Sequence, residues 1–327
     1  MVKKRNGKKT FKKVVTLSSI FIVAVFMASA YSILSTRINL TAKANLYSSD
    51  RYLWKQIKNN YVASSGSGFY QTSYENGKYS FIGDGDGNYI SIDNNLWRII
   101  SVESDNTIKI VEWNNTHTSN FDTANNRTST SDYCQNPELG CNSYSLQTAF
   151  SNGEILGTVQ NNSTILNYLN NDFYNSLSSD LKSKIVEHNF SIGPVEITEQ
   201  TTLSNVLSQE SDYTWSGYVG LPSLSDFIYA TNVSTNSTIN SITLDNNYLT
   251  GYSTDKIKWT INPLNNNSSK VWVINYDKTI INKNSNTTSE EINNVTYDYI
   301  VLPVVYLKQN VKLLSGNGTQ ANPFVLE

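Results

Sequence analysis

The sequence predicts an α+β fold: antiparallel sheets with two to three short helices, preceded by one N-terminal transmembrane or signal helix. Three observations predict it. The chain opens on a basic stretch that runs into an apolar one; the next part alternates strand-like runs with Asn, Asp and Gly turns; and helical spacing mid-chain gives way to strands again. Strands, then helices, then strands, without βαβ alternation, describe an antiparallel sheet with segregated helices.

The leader comes first. Lys3, Lys4, Arg5, Lys8, Lys9, Lys12 and Lys13 precede the nearly uncharged run Val14 to Leu34. The basic flank is held on the cytoplasmic side, and an apolar run of about 20 residues suffices to cross a bilayer. The same segment reads equally as a signal peptide. Ile20–Met27 makes an apolar core, and Ala28-Ser29-Ala30 fits the small-x-small pattern of signal peptidase, with Ala28 and Ala30 as the recognition pair and Tyr31 as the new N-terminus. Both readings stay open, and both predict a protein of the cell membrane facing outside, or a secreted one. Residues 14–34 contact the membrane if the leader is uncut. The predicted plan is a basic n-region over 1–13, the transmembrane or signal segment over 14–34, a connector over 35–68 and an extracellular domain over 69–327.

Residues 1–37 hold eight of the 25 Lys/Arg and none of the 27 Asp/Glu, so the remainder carries 17 against 27, a net charge of −10. Nucleic acid is disfavoured as a partner, because binding it rests on clustered cations that neutralise phosphates. Cys134 and Cys141 are the only cysteines and flank the turn-rich QNPELG. In an oxidising exterior they are candidates for a disulfide closing a short loop.

The elements follow in order. A short helix is predicted around Tyr52–Lys58, and Ala63–Gly68 is a flexible break. Strands are predicted at Tyr79–Ile82, Tyr89–Ile92, Leu96–Ile100 and Thr107–Trp113, with turns at Gly83–Asn88, Asp93–Asn95 and Ser104–Asn106. Asn114–Ser145 reads as a long polar loop. Ser163 caps a helix bearing Ile165, Leu166, Leu169 and Phe173, and Leu177–His188 repeats the pattern after Ser178. Ser223 with Asp226 three residues on makes a capping-box start for a helix through Ala230. Strands return at Lys258–Asn262, Val271–Tyr276, Thr279–Asn282 and Tyr299–Leu307, and Val311–Leu326 supplies a last strand pair.

No catalytic signature is present: neither a Gly-x-Ser-x-Gly elbow, nor a phosphate-cradling loop, nor a His-Glu-x-x-His helix. His117 and His188 stand apart and read as polar surface groups. Asp84, Asp86 and Asn88 imitate the first three ligands of an EF-hand, but Tyr89 and Asn95 stand where Gly and Glu are required, so no metal site and no cofactor are predicted. Trp97, Trp259 and Trp272 lie in strand-like runs and read as core. Trp113 and Trp215 border polar loops and are the candidate ligand-binding residues, since an indole face offers flat apolar contact to a sugar.

Two passages resemble known families. Asn88 to Ile100, NYISIDNNLWRII, resembles the N-Y-V-x-F-N-x-x-L-W-R-I-I stretch of surface proteins of low-GC Gram-positive bacteria, and Pro303–Lys308 with GNGTQANPF over 316–324 matches the end of the same proteins. Leu221 to Ala230, LPSLSDFIYA, is similar to the L-P-T-x-x-E-W-E-Y-A helix of the sulfatase-modifying, formylglycine-generating group. That resemblance implies a C-type-lectin-like domain. The group's reactive cysteine pair lies late in its chain, whereas Cys134 and Cys141 come early, so the oxidase activity is not carried over. The expectation is a surface protein that binds a ligand or displays a surface without catalysis, with a cell-wall or host glycan or protein as partner. Two rivals stand beside it. One is an extracellular glycan hydrolase using a carboxylate pair. The other is a subunit of a surface fibre, because the leader through Ala30-Tyr31-Ser32 is similar to leaders of fibre-forming matrix proteins.

Overall fold

The computed structural model describes residues 27–29, 50–113, 116–123, 137–145, 150–151, 154–155, 161–240, 242–251, 255–292 and 295–327. The chain divides into two units, Met1–Arg51 and Tyr52–Glu327. In the first, residues 27–29 are helical and exposed. The apolar run over 14–34 and the cleavage pair lie almost wholly outside the described residues: Ala28 is described, Ala30 is not. Among the described residues no helix is long and apolar enough to cross a membrane.

The second unit is α+β, rich in antiparallel sheet with few helices. Its elements are α1 (Leu53–Asn60), β1 (Gly68–Gln71), β2 (Tyr79–Ile82), β3 (Tyr89–Ile92), β4 (Asn95–Val102), β5 (Ile108–Glu112), β6 (His117–Thr118), β7 (Phe150–Ser151), β8 (Glu154–Ile155), α2 (Thr164–Asn167), α3 (Ser179–Lys184), β9 (Ile185–Val186), β10 (His188–Ser191), α4 (Leu203–Ser211), β11 (Thr214–Gly217), β12 (Val219–Gly220), α5 (Leu224–Tyr229), α6 (Tyr248–Gly251), β13 (Ile257–Pro263), β14 (Lys270–Ile274), β15 (Ile280–Asn284), β16 (Ser289–Ile292), β17 (Val295–Val301), β18 (Val304–Leu307), β19 (Leu313–Ser315) and β20 (Phe324–Leu326). α1 belongs to this unit and buries Leu53 and Ile57 completely, so packed structure begins at Tyr52, inside the stretch expected as connector.

Ten of these strands form a sheet whose main path is β12-β18-β5-β4-β3-β20-β19. β4 is its spine: β5 runs along it on one side, while β3 pairs with its first half and β2 with its end. The β3–β4 turn places Asp93 and Asn94 at φ 53° and 63°, the left-handed pair that a two-residue hairpin needs. Trp97, Ile99, Ile110 and Val305 are fully buried on this sheet, which drives its formation. A second sheet follows the path β15-β14-β13-β17-β16, with β6 on β17 and Trp259 and Trp272 buried.

Two expectations need correction. The strand expected over Tyr299–Leu307 is two strands, because the chain leaves the second sheet at Leu302 and joins the first after Pro303. Proline has no N–H to give a ladder, and its carbonyl instead accepts from the Glu112 amide at 3.0 Å. The helix expected over Leu177–His188 stops at Lys184. Ile185 and Val186, β-branched, pair with Leu307 and Tyr306 on β18, where sheet burial outweighs helical periodicity. The caps at Ser163, Ser178 and Ser223 form as expected, each side chain accepting from the amide three residues on.

Candidate functional site

A cleft of about 380 Å³ opens where α4 and α5 meet the large sheet. Its wall is built on Lys109 of β5, Tyr306 of β18, Glu210 of α4 and Ser223, Ser225 and Asp226 at the start of α5; His188 and Phe190 of β10 and the Tyr74–Lys78 segment complete the rim. α4 was not legible in the sequence. It is fixed by a capping box in which Thr202 and Asn205 bond each other reciprocally, with Asn in place of the acid that signals such a start. Its C-terminal turn is held against Gly193, whose amide donates to the Glu210 carbonyl at 2.9 Å; a Cβ there would stand 2.1 Å from the Gln209 oxygen. Only glycine permits that approach.

The charged groups are arranged in pairs. Lys78 Nζ lies 2.8 Å from Glu103 Oε2, and Lys109 Nζ lies 2.5 Å from Asp226 Oδ2. Burial pulls both ammonium groups down, but the facing carboxylates outweigh it and raise Lys78 and Lys109 above the ordinary lysine range. Burial likewise pushes Glu103 up, while Lys78, Lys109 and the Ser101 hydroxyl hold it below the usual carboxylate range. Asp226 does two jobs, since the same Oδ2 accepts from the Ser223 amide at 2.8 Å and closes the capping box of α5.

Glu210 differs from the rest. Its carboxyl accepts from the Ser225 amide at 2.9 Å and the Ser225 hydroxyl at 2.5 Å, and no cation sits within salt-bridge distance among the described residues. Burial pushes it up to about 7, against the lowering effect of the Ser225 bonds. The carboxyl therefore keeps its proton to a far higher pH than Glu103, which is held ionised by Lys78. His188 stacks on the Tyr306 ring at 3.8 Å and 11°, with Nε2 3.5 Å from Asp105 Oδ2. The histidine expected as a surface group is thus part of an aromatic and charged rim.

The two candidate tryptophans lie elsewhere and apart from each other. Trp113, half-buried, meets Tyr89 edge-on and stands 5.0 Å from the Arg98 guanidinium. Trp215, on β11, packs on Phe190 and Tyr144 and covers Gly217, where a Cβ would lie 1.9 Å from its ring. Neither lines the cleft. The calcium-like loop is organised by Arg98 instead. Its Nη2 donates to the Gly85 carbonyl at 2.6 Å and its Nε to Asn88 Oδ1 at 2.7 Å, while Asn88 Nδ2 donates to the Ile99 carbonyl at 2.8 Å. The oxygen that would be a third cation ligand is occupied by a guanidinium. Among the described residues no three His, Cys, Asp or Glu side chains converge as a metal group. Cys141 is buried and disulfide-bonded; Cys134 lies outside the described residues.

No protein-family model, no curated protein and no solved structure matches this chain.

Proposed function

We propose that the chain is an exported or membrane-anchored surface protein whose α+β domain, of the C-type-lectin-like kind, binds a neutral, hydroxyl-rich ligand in the cleft between α4 and α5. The leader supports the address. The LPSLSDFIYA helix, its capping box and a looped sheet flanked by helices support the lectin-like reading. One observation carries the ligand class: both lysines of the cleft are already neutralised by carboxylates, Lys78 by Glu103 and Lys109 by Asp226, and Glu210 adds an acid outside those pairs. Such a wall offers an anionic ligand no uncompensated lysine, yet it presents ammonium and hydroxyl donors beside carboxylate acceptors, with Tyr74 and Phe190 as aromatic neighbours. That combination suits a sugar. Glycan arrays and cell-wall pull-downs with the full chain test it. Saturable binding that falls at least tenfold in Lys109→Met is the expected result, and no saturable ligand in either assay would overturn it.

A carboxylate-pair hydrolase acting on glycans is the second reading, favoured by Glu210 alone. A carboxyl held near 7 can donate a proton while Asp226 remains paired with Lys109. Release of reducing ends from polysaccharides, abolished in Glu210→Gln, is its signature. Binding without turnover leaves the first reading standing.

A further inference from the structure

A second constellation lies outside the cleft and shares no residue with its lining. Glu112 at the end of β5, His117 at the start of β6 and Tyr168 after α2 are joined by two short hydrogen bonds. Tyr168 Oη lies 2.7 Å from His117 Nδ1, and His117 Nε2 lies 2.6 Å from Glu112 Oε2. A carboxylate can only accept, so His117 Nε2 keeps its proton and donates it in a hydrogen bond to Glu112, which leaves the Nδ1 lone pair facing the phenol. This fixes the tautomer that can receive the Tyr168 proton. Glu112 is 3% exposed and the imidazole 19%, so water competes little for either bond.

The local fold is built around this contact. α2 continues through a π-helical stretch, Tyr168–Phe173, before its last turn Tyr174–Ser176. Hydrogen bonds from i to i+5 widen the turn and bring residues five apart round towards one face. Tyr168 opens the stretch and Phe173 closes it, and His117 touches both: its ring meets Tyr168 at 6.1 Å and Phe173 edge-on at 5.2 Å. The π-helical turn thus clamps the imidazole between phenol and phenyl. Tyr168 also lines an open groove of about 500 Å³ with Ser119, Thr164, Asn167, Asn171 and Asp172. The order is nucleophile, base and orienting carboxylate, with the nucleophile at a groove of hydroxyl and amide groups.

The geometry points to Tyr168 as a nucleophile for acyl transfer from an ester in this groove, with His117 as its general base and Glu112 as the residue that positions the base. The Tyr168 oxygen bonds to the ester carbonyl carbon while the phenolic proton passes to His117 Nδ1. The ester C–O bond then breaks, the imidazolium returns the proton to the departing alkoxide, and water hydrolyses the acyl-tyrosine to release the acid. The base is needed in the step itself, because burial first, and then the charges of Glu112 and Asp172, push the Tyr168 hydroxyl above its ordinary range. A free phenolate is scarce at neutral pH, so attack and proton transfer go together.

The test uses the purified full chain and 4-nitrophenyl acetate, a probe whose leaving group needs no proton. The expected result is a burst of 4-nitrophenolate approaching one equivalent and an acetyl group on the peptide containing Tyr168. Y168F, which removes only the oxygen, and H117Q each lower that labelling at least tenfold. E112Q separates positioning from support of the fold: the neutral amide no longer stabilises the imidazolium that forms during attack, so labelling falls and its pH profile moves, with melting unchanged. Peptide mapping on the unaltered chain decides even if a variant unfolds. Acetyl found on lysines alone, no adduct, or equal Tyr168 labelling in H117Q would overturn the assignment.

Discussion

The molecule buries cations in two ways, at Arg98 and at the Lys78–Lys109 cleft. The hydrogen-bond partners of Arg98 are neutral: it donates to Gly85, Asn88 and the Tyr89 hydroxyl, its guanidinium lies 4.1 Å from the Tyr89 ring, 4.6 Å from Tyr248 and 5.0 Å from Trp113, and Asp84 and Asp86 of the loop it holds support its charge through space. Burial lowers its proton affinity, yet a guanidinium stays charged throughout the ordinary pH range. The cleft lysines instead face carboxylates, Lys109 with Asp226 and Lys78 with Glu103 and, at 3.7 Å, Glu75, and border an open cavity. The first arrangement directs three donors, one from each guanidinium nitrogen, to the loop and the strand that follows it. The second balances charge while leaving polar groups at a surface that a ligand can reach, which is what separates a structural cation from one available for binding.

The largest expected break is Arg98→Ala. It strands the Asn88 oxygen, the Gly85 carbonyl and the Tyr89 hydroxyl inside and leaves a hole between the Phe81, Tyr89, Trp113 and Tyr248 rings, a loss of about 4–5 kcal/mol. Denaturant unfolding measures it, and a loss below about 1 kcal/mol would mean the box is not structural. No single second substitution restores stability, because its partners are spread over many neutral groups. The cleft pair responds differently. Lys109→Met leaves Asp226 buried against no cation and costs about 3–4 kcal/mol. Adding Asp226→Asn recovers part of this, since the amide removes the stranded charge while its oxygen still caps α5. A double-mutant cycle reads the coupling, and strict additivity would show that the 2.5 Å contact carries no stability.

The same contrast explains what was legible in the sequence. Strands β2 to β5, the β3–β4 turn and the Ser163, Ser178 and Ser223 caps follow from alternation and local turn chemistry, so they were readable within a few residues. Asn88 and Arg98, which carry the surface-protein resemblance, prove to be one hydrogen-bonded unit that positions the loop between β2 and β3. The cleft was not readable. Glu103, Lys109, Glu210 and Asp226 are brought together by sheet pairing and by α4 packing on α5, and no periodicity relates residues so far apart in the chain. Asp226 alone was singled out, for its cap and not for Lys109. His117 and Tyr168 escaped for the same reason, and a helical wheel drawn at 3.6 residues per turn misplaces Tyr168 against Phe173 across a π-helical stretch. The tryptophans singled out for their polar neighbours do not line the cleft: Trp113 and Trp215 border polar loops in sequence and cover Arg98 and Gly217 in space.

The finest test of the comparison is pH. Arg98 contributes no slope to stability between pH 4 and 9, because its charge does not change there. Glu210 contributes one. Its carboxyl is raised from an ordinary 4.5 to about 7, so between those values the folded protein holds a proton that the unfolded chain has lost. Stability from this group is therefore greatest below pH 4.5, falls as pH rises through the window and levels off above 7, a total of about 3 kcal/mol. Glu75, Lys78, Lys109, Glu103 and Asp226 face the same cleft and His188 stands on its rim, so the slope is read as a difference between proteins. Glu210→Gln keeps an oxygen for the Ser225 amide and removes the titration. Unfolding free energies of the two proteins, measured at intervals from pH 4 to 8, should converge or cross as pH rises, the natural protein losing about 3 kcal/mol relative to the variant. Parallel curves would place the Glu210 carboxyl in water and remove its distinction from the paired acids beside it.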